Sequence, residues 1–82
     1  PPKFRILALD DEKDILELVR YTLEPKHEVV TLADSMQAVE VIEYVEPDLV
    51  IVDVMMPKVT GYQIVEGMRR SPRHQNTPIL FL

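Results

Sequence analysis

Four short apolar runs, separated by longer segments of helical period, constrain this chain more than any other feature. The runs are FRILAL (4–9), HEVVTL (27–32), DLVIV (48–52) and PILFL (78–82). They are rich in Val, Ile, Leu and Phe and show little polar alternation. Strands read this way when both of their faces are covered, as in a parallel sheet. Between the first two runs, Ile15, Leu18, Val19, Thr22 and Leu23 recur at helical spacing and stop before Pro25. Ala38, Val41, Ile42 and Val45 form a second helical stripe, ended by Pro47, and Asp34 with Gln37 resembles a capping pair at its start. Ile64, Val65 and Met68 form the third stripe, with Thr60 and Gln63 matching a capping box. Arg69 and Arg70 suit the negative end of that helix, and SPRHQNTP (71–78) reads as a polar loop.

The spacing thus predicts strands over 4–9, 27–32, 48–53 and 78–82, and helices over 12–23, 35–45 and 61–70. A β-α-β-α-β-α-β order argues for an α/β fold with a parallel sheet. Crossovers are right-handed. If the second and third strands flank the first, helix one covers one face and helices two and three the other. The strand order is then 2-1-3-4, the start of a flavodoxin-like sheet.

At 82 residues the chain holds one domain or less, and 46% hydrophobic with 28% charged residues suits a globular protein rather than a disordered one. Net charge is −5, with acids gathered at Asp10, Asp11, Glu12 and Asp14. That argues against nucleic acid as a direct partner and is compatible with a bound cation. The absence of cysteine excludes disulfides and thiolate metal sites. No apolar run approaches the roughly 18 residues of a membrane span, and PPKFRILALDDE is no signal peptide. The expectation is a soluble, cytoplasmic chain with no membrane partner.

Within LVIVDVMMPKVTG (49–61), Asp53 ends the third strand while the nearest helix start, Thr60, stands seven residues on. In open α/β sheets ligands bind beyond the carboxyl ends of the strands, where the strand order reverses. That point lies between strands one and three, so Asp10, Asp11 and Asp53 converge there. Uncompensated, three carboxylates repel one another. A hard divalent ion such as Mg²⁺ removes the conflict and leaves waters for a phosphate to replace. An aspartate can also act as nucleophile and form an acyl phosphate. Two plainer readings stay open: acids at a helix start are stabilised by its dipole, and Asp53 can be a solvated strand-end residue.

The triplet Asp10-Asp11-Glu12, with Asp53-Val54-Met55-Met56-Pro57 and Gly61, resembles the receiver domain of bacterial response regulators in two-component systems, over essentially the whole chain. The resemblance implies that Asp53 is the phosphoacceptor for a histidine kinase. It further implies that Asp11, Asp53 and the backbone carbonyl of Met55 bind Mg²⁺ (or Mn²⁺) directly, and that Asp10 acts largely through a bound water. Pro57 and Gly61 would shape the loop into helix three. Thr60 stands where the family often has aspartate. Such a module is a regulatory switch rather than a free-standing enzyme.

A complete receiver has five strands and five helices, so residues 1–82 read as a truncated one, lacking the last strand and last two helices. The Ser or Thr after strand four and the later Lys, which sense the phosphoryl group, are then missing, and switching is expected to be impaired. The expectation follows that the chain self-associates or swaps through the exposed fourth strand and the helix-one face. Two alternatives are a structural or assembly fragment without phosphotransfer, and a Mg²⁺-dependent aspartyl-phosphate phosphohydrolase. The latter would want a second acid at position 55, where Met stands. DDEKD, lacking glycines, opposes a nucleotide-binding turn. His27 and His74 read as surface residues, Met55, Met56 and Met68 as packing, and Arg69, Arg70 and Arg73 as a small basic cluster.

Overall fold

The computed structural model describes residues 3–82. Strand β1 (Arg5–Leu9) leads to helix α1 (Lys13–Leu23) and strand β2 (Glu28–Leu32). A 3₁₀ turn (Ser35–Gln37) precedes α2 (Ala38–Val45), followed by β3 (Leu49–Val52), α3 (Gly61–Arg69), a second 3₁₀ turn (Pro72–His74) and β4 (Ile79–Phe81). The strands are parallel in the order β2-β1-β3-β4, a flavodoxin-like arrangement.

Residues alternate between two cores along the strands, which is why the runs are apolar without interruption. On one face Leu7, Leu9, Val50 and Val52 bury against Ala38 and Ile42 of α2 and Ile64 and Met68 of α3, with Met56 at the margin. On the other, Ile6, Ala8 and Ile51 pack against Leu16 of α1, flanked by Val19 and Leu23. The helix-one stripe thus differs in part from the one read in the sequence: Leu16 is buried, while Leu18 is 60% exposed. Val19 and Leu23 of the expected stripe do pack on this core; docking over β1 and β3 adds Leu16 and leaves Leu18 outside.

Local chemistry sets the helix ends. Asp34 Oδ1 accepts the Met36 N–H at 3.0 Å and Oδ2 lies 3.4 Å from the Gln37 amide. The predicted first turn of α2 tightens into 3₁₀ geometry as a result, and the α-helix starts at Ala38. Glu46 closes α2 in the left-handed region (φ 53°), ahead of Pro47. At α3 the Gln63 N–H donates to Thr60 Oγ1 at 3.2 Å and the Thr60 N–H to Gln63 Oε1 at 2.9 Å, a complete capping box.

Side-chain placement corrects further expectations. His74 is no surface residue but 3% exposed, its Nδ1 2.9 Å from Thr77 Oγ1. The Pro72–His74 turn folds the imidazole inward, among neighbours whose polarity conceals it in the sequence. The arginines of the expected basic cluster each engage a different partner. Arg73 reaches across to Glu43 (2.6 Å) and Glu46 (3.0 Å), Arg69 donates to the His74 carbonyl, and Arg70 pairs with Glu66 at 3.7 Å. Met56 and Met68 are buried as expected, but Met55 is 75% exposed, because the loop after β3 turns it outward. His27 is half-buried beside Phe4, with ring centroids 5.6 Å apart.

Candidate functional site

The last registered pair of β1 and β3 is Leu9 with Val52, so the next residues, Asp10 and Asp53, stand opposite each other. The ladder runs on past the strand ends: the Asp53 N–H donates to the Leu9 carbonyl at 3.0 Å, and the Asp10 N–H to that of Leu32 at 3.3 Å. Continuing the alternation of the strands, both side chains leave on the face of Ala8 and Ile51. Asp11 follows as β1 turns towards α1.

One carboxylate oxygen from each of Asp10, Asp11 and Asp53 lies within 4.8 Å of the others. Among the described residues this is the one such convergence of His, Asp or Glu side chains. Asp10 is buried, Asp53 half-buried and Asp11 exposed. Backbone amides orient the two inner acids: the Glu12 N–H donates to Asp10 Oδ1 at 2.9 Å, and the Met55 N–H to Asp53 Oδ1 at 3.1 Å. Burial pushes the Asp10 carboxyl above its ordinary range, opposed by the Glu12 amide and reinforced by the charges of Asp53 and Asp11. Three hard oxygen donors, one of them desolvated and under repulsion from the other two, fit a cation of the Mg²⁺ class. Asp10, Asp11 and Asp53 are the side chains that would hold it.

The loop from Asp53 to Thr60 is tied at several points. Met56 is buried at the margin of the core, and the Gly61 N–H donates to the Val54 carbonyl at 2.8 Å. A Cβ at position 61 would stand 2.5 Å from the Asp53 carbonyl oxygen, so the first turn of α3 can approach the Asp53 peptide only through glycine. Lys58 takes a left-handed conformation, φ 72°. The Pro57 carbonyl accepts the Val59 N–H at 2.8 Å and the Ser35 hydroxyl at 3.0 Å. Neither Lys58 nor Ser35 stood out in the sequence. A serine after Asp34 reads as one more capping residue, and nothing local announces a partner in a distant loop.

A parallel sheet in this order, with acids at the point where the order reverses, defines a flavodoxin-like α/β domain with a ligand crevice at the β1–β3 edge. The model of the response regulator receiver domain family matches residues 6–82. The chain belongs to that family. It is 37% identical over 79 residues to protein RcaC of Microchaete diplosiphon, covering 95% of this chain and 12% of RcaC. It is also 37% identical over 67 residues to PhoP of Bacillus subtilis, the alkaline phosphatase synthesis transcriptional regulatory protein, covering 80% of this chain and 28% of PhoP. Among solved structures, the chemotaxis protein CheY4 of Vibrio cholerae superposes with a TM-score of 0.91 at 34% identity, over 98% of this chain and 68% of that one. The chain thus spans well under a third of these two curated relatives.

Proposed function

We propose that Asp53 is the phosphoacceptor of this receiver, taking a phosphoryl group from a histidine kinase at a Mg²⁺ (or Mn²⁺) site formed by Asp11, Asp53 and the Met55 backbone carbonyl, with Asp10 acting through a bound water. The observation that carries this reading is the convergence of three carboxylates within 4.8 Å at the switch point of the sheet. An Asp53 carboxylate oxygen attacks phosphorus and forms the P–O bond of an acyl phosphate. The P–N bond of the kinase's phosphohistidine breaks, and its electron pair returns to the imidazole nitrogen. The Met55 amide holds Oδ1 at 3.1 Å and so limits the rotamers from which the attack is made. When bound, the cation neutralises charge on the transferring phosphoryl group and on the acids around it. In this reading the domain is a regulatory module that works in the cytoplasm; among the described residues no helix is long and apolar enough to cross a membrane.

Incubated with acetyl phosphate and Mg²⁺, the protein gains the intact mass of one phosphoryl group, and Asp53→Asn abolishes the gain. Labelling that persists at another residue in that variant contradicts the assignment. A second part of the proposal is association with another copy through β4 and the face beside α1. It is supported by Leu80 and Leu82, which are 53% and 54% exposed at β4, an edge strand among the described residues.

A further inference from the structure

The geometry points to Ser35 as a positioning residue for the cation site: its hydroxyl, donated to the Pro57 carbonyl, holds the loop that carries Met55 and orients Asp53. The inference rests on the reading of those residues given above. Ser35 is 8% exposed, and its Oγ lies 3.0 Å from the Pro57 carbonyl oxygen. A serine in a tight turn ordinarily bonds within that turn. This one reaches 22 residues along the chain, into the loop that follows β3.

Three features make the tether consequential. Ser35 is itself fixed, since Asp34 caps the 3₁₀ turn on which it stands. Its acceptor lies two residues beyond Met55, whose N–H holds Asp53 Oδ1, so a shift of Pro57 is passed through few peptide links to the acceptor aspartate. Its acceptor also precedes Lys58, whose left-handed backbone is disfavoured for any residue but glycine and persists only where the surroundings enforce it. The Val59 N–H and the Ser35 hydroxyl both end on the Pro57 carbonyl, and together they supply that enforcement. Beside the tether a groove of about 240 Å³ is lined by Asp11, Asp34, Ser35, Pro57 and Lys58, so the tether shares a wall with one of the three acids.

The test is a Mn²⁺ titration of the protein, followed by electron paramagnetic resonance of the free ion, with Ser35→Ala, Lys58→Gly, the double variant and Val41→Ala. Val41 packs against the α2 core and serves as a purely structural control. Ser35→Ala is expected to weaken Mn²⁺ binding by about tenfold, the lower end for residues that orient metal ligands, and to speed amide exchange at Val59. In the Lys58→Gly background the loss shrinks, because the loop is no longer driven out of its conformation. Val41→Ala lowers the urea midpoint and leaves Mn²⁺ affinity unchanged. Equal affinity in wild type and Ser35→Ala overturns the inference, as does a Val41→Ala variant that loses Mn²⁺ just as far. A wild type without saturable Mn²⁺ binding overturns the cation site itself, and this inference with it.

Discussion

Asp10 is placed at a cost to the fold and belongs to the acidic site. It is 4% exposed, beside two further acids, and its carboxyl titrates above the ordinary value of 3.8. Between that value and its raised folded value, the folded state keeps a proton that the unfolded chain has released. Rising pH through this window therefore removes stability, and the loss is complete once the folded carboxyl has ionised. Asp10→Asn keeps an oxygen for the Glu12 amide and carries no charge. Urea titrations are expected to show the variant more stable than wild type at pH 7, with the advantage shrinking towards pH 4. Saturating Mg²⁺ is expected to narrow the gap at pH 7, since an ion bound only by the folded state stabilises it. A variant less stable at pH 7 contradicts this account of Asp10. Gly61 is constrained from the other direction. The atom that a new Cβ meets is the Asp53 backbone carbonyl, which cannot rotate away as a side chain can. Gly61→Ala is expected to cost about 1–3 kcal/mol by denaturant titration, the usual range for overpacking. An unchanged midpoint would show that the loop yields.

Among the elements, α3 depends most on local chemistry, because its first turn follows a loop instead of a strand. Thr60→Ala removes one bond of the capping box outright and releases Gln63 from the other, with an expected loss of about 1 kcal/mol in urea denaturation. A loss below a few tenths would mean that packing of Ile64 and Met68 alone defines the start of the helix. This cap was legible in the sequence because both partners lie within four residues. The strands were legible for a different reason: an apolar run such as LVIV can only be covered on both faces. Once the runs are parallel, right-handed crossovers leave little choice for the helices. The three acids were legible because register carries them together. What was hidden depended on partners remote in the chain. The choice between Leu16 and Leu18 is made by the docking of α1, the inward turn of His74 by Thr77 and Arg69, and the role of Ser35 by Pro57. The exposure of Met55 belongs to the same group, since MM within an apolar context reads as core.

At the scale of the whole sheet, its two faces are unequally covered by the described residues. Helices α2 and α3 close one face, whereas α1 alone stands on the other. Beside it an apolar groove of about 480 Å³ is lined by Phe4, Ile6, Leu23, Leu49, Ile51 and Leu80. In the proposed association, this surface and the edge of β4 are where a second copy would dock. Sedimentation equilibrium is expected to show concentration-dependent dimers that Leu80→Lys shifts towards monomer. A wild type that stays monomeric at high concentration contradicts the association.

Parallel register brings the β1 and β3 termini together, and the proposed signalling role rests on the charge gathered there. Calorimetric titration with Mg²⁺ of the wild type, Asp11→Asn and Asp53→Asn measures that most directly. The predicted result is saturable binding of a single ion to the wild type, weakened by about tenfold or more in each variant. Absence of saturable binding, or an affinity undiminished in Asp53→Asn, would contradict it.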